Sequence, residues 1–228
     1  MGTLDSVDAM KRAVASAALA FVRPGQILGV GTGSTVDAFI DLLADSRVLP
    51  SAAVSSSERS TQRLRQWGIS VVDASALDQL GVYVDGADEV DPAGCLIKGG
   101  GGALTREKIL ADLALRFVCI VDGTKCVERL GAFPLPLEVL PSAMGAIRRK
   151  LRELGAEVSL REGFLSDNGH PILDAAGLAI DDPLGLEEAI NQWPGVVSVG
   201  LFARRRPDVL LVADAAGVHQ RSIAAQRS

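Results

Sequence analysis

Residues 81–89 read Gly-Val-Tyr-Val-Asp-Gly-Ala-Asp-Glu, an apolar run that delivers three carboxylates within five residues. The run up to Val84 reads as a buried strand, and Asp85, Asp88 and Glu89 as the loop that leaves it. In open α/β sheets, ligands bind just beyond the carboxyl ends of the strands. A strand that ends this way therefore restricts the fold and marks a site together. Carboxylates a few ångströms apart raise one another's pKa, and one tends to keep its proton. An EF-hand calcium loop is the competing reading. It fails because further oxygen ligands at alternate positions and a distal glutamate are missing.

The same pattern of strand then polar loop recurs. Gln26–Val30 is a strand, followed by Gly31-Thr-Gly-Ser-Thr35 and a helix that carries Val36, Phe39, Ile40 and Leu43 on one face. Glycines let the backbone approach a ligand, and the free N–H groups and dipole of a helix start favour negative charge. Thr32, Ser34 and Thr35 add hydroxyl donors around Gly33. The stretch is not a dinucleotide fingerprint, because its third glycine position holds Ser34 or Val36 and no acid ends a second strand about twenty residues on. It is not a Walker loop, since no Gly-Lys-Ser/Thr follows. A phosphate or carboxylate cradle remains; an N-capped helix after a tight turn accounts for the stretch equally well by itself.

Ala52–Val54 reads as a second strand ending in Ser55-Ser56-Ser57, either a second polar ligand loop or, for most of it, the cap of a helix over Glu58–Trp67. Ile69–Val72 reads as a third strand. Beyond the acidic loop, Leu96-Ile97 leads into Lys98 and four successive glycines, Gly99 to Gly102. Such a run is costly in backbone entropy and is easiest to explain where backbone passes close to a ligand. The next helix, Ala103–Leu115, carries Glu107 about one turn in. Singly, Lys98 is a solvated lysine and Glu107 an acid favoured by the helix dipole. Neither account explains why both flank a tetraglycine. Phe117–Val121 is another buried strand, and Asp122-Gly-Thr-Lys125 follows it, which makes Lys125 a second candidate phosphate contact.

Composition shifts at Gly131–Pro136. The remainder reads as strand Leu137–Leu140, helix Ser142–Leu154 and strand Ala156–Leu160. A hairpin of Phe164–Ser166 and Pro171–Leu173 around Asn168-Gly169 follows, then helix Leu184–Asn191 and strand Val196–Leu201. This is the ferredoxin-like order. Val209–Val212 gives a last strand returning to the first domain. The expected architecture is α/β: a Rossmann-like open-sheet domain over 1–131 and 206–228, with a smaller ferredoxin-like α+β domain, 132–205, inserted before the last strand. No dense polar cluster marks the insert, so a lid or subunit-contact role suits it. Arg148, Arg149, Lys150 and Arg152 read as a solvated helix face, and Arg204–Arg206 as a domain-crossing loop.

Composition removes several function classes. The 228 residues are 48% hydrophobic with a net charge of −5, whereas a nucleic-acid binder usually carries a basic domain. Cys95, Cys119 and Cys126 form no C-x-x-C pair, which fits a reducing cytoplasm better than a disulfide scaffold. His170 and His219 are far apart and give zinc or iron little to work with. Lys11-Arg12 followed by an apolar stretch resembles a signal peptide. Asp5 and Asp8 precede it, however, no small-residue cleavage site follows, and the stretch is too short to span a bilayer. A helix over Asp5–Phe21 is expected, with Lys11 on its own a face charge. Met1-Gly2 with Ser6 matches the myristoylation pattern by chance, and no membrane partner is expected.

Two acids, Lys98, Glu107, an anion cradle and Lys125, without a metal set, suit proton transfer beside a carbonyl of a small phosphorylated compound. That chemistry needs a carboxylate base, a cation for the developing enolate oxygen, and acids for hydroxyl protons.

These residues resemble the ribose-5-phosphate isomerase family, type A. The resemblance rests on Gly29–Thr35, Val54–Ser57, Tyr83–Glu89, Ile97–Ile109, Asp122–Lys125, Phe133–Val139, Ser166–Gly169, Pro194–Val197 and Gly200–Phe202, in family order over nearly the whole chain. Gly102 stands where some members have alanine, Thr124 where serine is common, and the tail after His219 has no clear match. The resemblance implies cofactor-free interconversion of ribose 5-phosphate and ribulose 5-phosphate through an enediolate, in the non-oxidative pentose phosphate pathway, by a cytoplasmic homodimer or homotetramer. By it, Glu107 is the base between C1 and C2, Lys98 stabilises the oxyanion, and Asp85 and Asp88 handle hydroxyl protons, ring opening or orientation. Substrate-binding positions would be Thr32, Gly33, Ser34, Thr35, Asp85, Gly86, Ala87, Asp88, Lys98, Gly99, Gly100, Gly101 and Lys125, with Lys11 helping at the phosphate.

Two other classes compete. A non-catalytic sugar-phosphate sensor would explain the cradle, but it has no need of Glu107 with Lys98, and the first strand begins too early for a helix-turn-helix segment. A CoA transferase-like enzyme would use a glutamate as nucleophile.

Overall fold

The computed structural model describes residues 6–46 and 48–223. Met1-Gly2 and Asp5 of the expected opening helix lie outside them. In chain order the elements are α1 (Val7–Ala18), β1 (Ile27–Val30), α2 (Ser34–Asp45), β2 (Ala52–Ser55), α3 (Glu58–Gln66), β3 (Leu80–Asp85), β4 (Glu89–Val90), β5 (Leu96–Ile97), α4 (Leu104–Leu113) and β6 (Ala114–Asp122). Then follow β7 (Leu135–Val139), α5 (Met144–Glu153), β8 (Glu157–Leu160), β9 (Ile172–Ala176), α6 (Pro183–Asn191), β10 (Val196–Val199), β11 (Leu201–Phe202), β12 (Val209–Asp214) and β13 (Gly217–Ser222). The chain divides into two compact units, one of residues 1–86, 109–125 and 207–228, the other of 87–108 and 126–206. The second contains the whole 132–205 span expected from sequence and also takes in 87–108, 126–131 and Arg206.

The first unit is built on a six-stranded sheet in the order β13-β12-β6-β3-β1-β2. Every pairing is parallel except that of the edge strand β13 with β12. Parallel strands buried on both faces read as unbroken apolar runs, and Phe117–Val121 and Val82–Val84 are such runs, almost wholly buried. Val14, Ala15 and Ala18 of α1 and Phe39, Ile40 and Leu43 of α2 join Leu28, Val30, Val84, Val118 and Ile120 in one core. Each of these larger side chains contributes on the order of 1.5–3 kcal/mol on burial. Ser6 caps α1 by accepting from Ala9 N, and Ser57 caps α3 by accepting from Ser60 N.

The second unit holds a four-stranded antiparallel sheet, β10-β7-β9-β8, and a three-stranded one, β11-β5-β4. The first of these has the expected ferredoxin-like order, its fourth strand beside its first. Leu135, Leu137, Ile147, Leu151, Leu173 and Ile190 form its core.

Four details of the sequence reading change. Ile69–Val72 is not a strand: Val71 makes an isolated bridge to Ala53, and Asp73 then caps a tight turn through Ser75 N (2.8 Å). Phe164–Ser166 is not a hairpin arm. The Asn168-Gly169 turn exists, closed by Gly169 N to Ser166 O at 2.8 Å, but β9 pairs with β8 instead. Gly163, at φ 67°, breaks the extended run before it reaches Phe164. Val196–Leu201 is split at Gly200 into β10 and β11, in different sheets. The last strand is β13, not Val209–Val212. Its residues are largely exposed and mostly polar, so no apolar period announces it.

Candidate active site

In the first unit, β1, β2, β3 and β6 run parallel, so the loops that follow them leave from the same end of the sheet. Asp85, the last residue of β3, is fully buried. Its Oδ1 accepts from Gly86 N at 2.7 Å and Thr32 N at 3.1 Å, and its Oδ2 accepts from the Tyr83 hydroxyl. Tyr83 lies two residues upstream and therefore on the same face of the strand. A buried carboxylate without such donors would be costly. Gly31 makes the approach possible: a Cβ there would stand 1.8 Å from Asp85 Oδ1.

The cradle loop is tied down from behind. Ser57 Oγ donates to Thr32 Oγ1 at 3.0 Å, and Ser60 Oγ to Gly31 O at 2.7 Å. Gly33, at φ 106°, precedes α2, and no side chain caps that helix. Ser34 is exposed and Thr35 half-buried. The start of α2 thus has the N–H groups and dipole that suit an anion. Lys125 ends the turn after β6 and is half-buried, as is Lys11 on α1.

The second unit carries the other group. Lys98, straight after β5, is 2% exposed, and Glu107, in the first turn of α4, is 3% exposed. Lys98 Nζ stands 3.3 Å from Glu107 Oε2. Lys98 is anchored by its backbone N–H to Gly200 O at 2.8 Å, and its ammonium lies 5.6 Å from the Phe202 ring centre. Asp88 is half-buried; its N–H donates to Ile97 O at 2.8 Å and its Oδ2 accepts from Gly100 N at 2.8 Å. Gly99, at φ 105°, lets the chain reverse between Lys98 and Gly100. A side chain at Gly100 would meet Asp88 Oδ1 at 2.6 Å. Gly101 is exposed, and Gly86 and Ala87 are half-buried.

Two supports escaped the sequence reading. Lys108 donates to Glu187 and to Leu201 O and lies 4.2 Å from the Phe202 ring centre. Burial lowers its pKa even though Glu187 opposes the shift. Glu138, fully buried on β7, accepts from Thr105 of α4 at 2.5 Å, Ser166 at 2.9 Å and Asn168 at 3.1 Å, and pairs with His170 Nδ1 at 2.9 Å. Burial by itself would raise its pKa; the donors, Thr105 foremost, hold it below the usual glutamate value. Both residues lie inside segments that carry the family resemblance, Ile97–Ile109 and Phe133–Val139, but their partners are distant in sequence and no spacing announces them.

Within the first unit, then, Thr32 and Gly86 meet Asp85. Within the second, Asp88 meets Gly100 and Lys98 meets Glu107. A carboxylate beside an ammonium, both nearly dry, supplies a base and a counter-charge for a developing oxyanion. Among the described residues, no group of three or more His, Cys, Asp or Glu is placed to hold a metal ion. No helix among them is long and apolar enough to cross a membrane.

A family model described as ribose 5-phosphate isomerase A (phosphoriboisomerase A) matches residues 52–217. Ribose-5-phosphate isomerase A of Methylibium petroleiphilum is 57% identical over 211 residues, covering 92% of this chain and 96% of its own. The protein of that name from Leptothrix cholodnii is 53% identical over 212 residues, covering 92% of this chain and 96% of its own. Among solved structures, ribose 5-phosphate isomerase A of Neisseria gonorrhoeae superposes with a TM-score of 0.94 at 41% identity, covering 97% of this chain and 99% of that one. A D-ribose-5-phosphate isomerase in complex with phospho-erythronic acid superposes at 0.89 with 37% identity, covering 95% and 99%.

Proposed function

This chain belongs to the ribose 5-phosphate isomerase A family, and on that premise we propose how its residues divide the work of the reaction. The enzyme is an aldose–ketose isomerase that interconverts ribose 5-phosphate and ribulose 5-phosphate. Glu107 removes the proton from C2 of the open-chain aldose. The electron pair passes to the C1 carbonyl, leaving an enediolate whose negative oxygen faces the Lys98 ammonium. The same carboxyl returns the proton to C1 while the C2 hydroxyl proton passes to O1, so no atom is gained or lost. Asp85 and Asp88 serve the hydroxyl protons, ring opening and orientation.

The 31–35 loop, Gly99–Gly101, Gly86-Ala87 and Lys125 bind the substrate, with Lys11 at the phosphate. An uncapped helix start behind a glycine-hydroxyl loop supports the anion role, and the phospho-erythronic acid in one similar structure is, like the substrate, a phosphorylated polyhydroxy compound. We assign the protein to the cytoplasm as a homodimer or homotetramer, with 132–205 as lid or subunit contact.

The observation that carries the catalytic reading is the buried Lys98–Glu107 pair beside the tetraglycine loop. The test is ketose formation from ribose 5-phosphate by the purified protein. Binding of the sugar phosphate without turnover would favour a sensor instead.

A further inference from the structure

Arg161 follows β8 in the second unit and is mostly buried, with 19% of its side chain exposed. Its backbone N–H donates to Ile172 O at 3.0 Å. One edge of its guanidinium is taken by Asp174: Nε donates to Oδ2 at 2.9 Å and Nη2 to Oδ1 at 2.6 Å. This two-bond fork fixes the plane of the group. The remaining nitrogen, Nη1, donates to Gly99 O at 3.1 Å and Gly100 O at 3.0 Å. The Phe164 ring centre lies 5.4 Å from Cζ.

The carbonyl of Gly99 and the N–H of Gly100 belong to one peptide group. That group takes a cationic donor on its oxygen and gives its hydrogen to Asp88 Oδ2 at 2.8 Å. A donor on the carbonyl polarises the peptide and strengthens its N–H, by roughly 10–30% per bond in condensed-phase estimates. It also fixes the plane in which the N–H points. Gly99, at φ 105°, is what allows the peptide this orientation. The chain Asp174–Arg161–peptide 99–100–Asp88 is thus a continuous, charge-assisted relay. No sequence motif joins its parts, since Arg161 and Gly100 are 61 residues apart.

We propose that Arg161, braced by Asp174, is a positioning residue that sets the orientation of the Asp88 carboxylate through the 99–100 peptide. This rests on the reading of Asp88 as a group that acts on the substrate. Lysine cannot replace arginine here, because an ammonium cannot hold a carboxylate fork and two carbonyls in one plane.

The experiment is a double-mutant cycle on ribose 5-phosphate isomerisation with R161K, D88N and the pair, each checked for a cooperative thermal melt. R161K is expected to lower kcat/KM about tenfold in the native background, and by less than about twofold in the D88N background. A relay that ends at Asp88 has little left to lose once that carboxylate is gone. D174N repeats the test with Arg161 intact, should R161K fail to fold, and is expected to show the same coupling to D88N. Native-level kcat/KM in R161K, or losses that multiply in full in the double variant, would overturn the proposal and leave the reading of Asp88 standing. Native-level kcat/KM in D88N alone would overturn that reading and the proposal together.

Discussion

Lys98 Nζ and Glu107 Oε2 stand 3.3 Å apart, with each side chain almost sealed from water. The two need each other: removing one partner of a buried pair typically costs about 3–5 kcal/mol, because a charge is left uncompensated. Glu107→Gln keeps the shape and removes the base, so the variant is expected to fold with reduced stability and kcat to fall by at least ~10²-fold. Lys98→Ala is expected to cost on the order of 10²-fold in kcat, as for one lost oxyanion donor. A change confined to KM would mean that Lys98 binds ground state and transition state alike.

Gly31 and Asp85 are matched in the same way within the first unit. An alanine at 31 would place its Cβ 1.8 Å from Asp85 Oδ1. The carboxylate must then move and release Thr32 N. Gly31→Ala is expected to cost about 1–3 kcal/mol of stability, the usual range for overpacking. It should also lower kcat/KM by at least about tenfold. Thermal melts and steady-state kinetics on the one variant check both, and native values for both would remove Asp85 from the site.

Glu138 makes the fold sensitive to acid. Its pKa in the folded protein is held below the ordinary glutamate value. The stability this contributes is therefore present above the unfolded value, about 4.3, and is lost as pH falls through the folded one. Glu138→Gln should accordingly be less stable than the native protein by a constant margin above about pH 5, and the margin should shrink below about pH 4. Denaturant unfolding of both proteins across that range measures it; a margin that grows in acid would contradict the assignment.

The three thiols differ in burial. Cys95 and Cys119 are buried and Cys126 is exposed. Burial, aided by Asp91, pushes the Cys95 thiol up to about 12, so it carries almost no thiolate near neutrality. Iodoacetamide on the native protein should label Cys126 first, and Cys95 and Cys119 only after unfolding, as read by mass spectrometry.

Much of this was legible in the sequence for physical reasons. Val82–Val84 and Phe117–Val121 are buried on both faces and read as unbroken apolar runs, and the loops with chemistry sit where such runs stop. Asp85, Lys98 and Glu107 stand out in the sequence because Asp85 ends an apolar strand and the other two flank a glycine run. Residues held by partners distant in the chain give no such signal. Arg161 meets Gly99 and Gly100 only when β8 is in place, and Glu138 gathers Thr105 and His170 from separate segments. Strand β13 gives no signal because an exposed edge needs no apolar alternation, and Ile69–Val72 reads as a strand because an apolar stretch with one bridge looks like one until its pairing is known.

Proton transfer by Glu107 without a metal is tested by ribose 5-phosphate turnover in excess EDTA by the native protein, with Glu107→Gln alongside. Ketose formation by the native protein, with the variant at least ~10²-fold slower, is the expected result. Loss of native activity in EDTA, or a variant that turns over at the native rate, would contradict it.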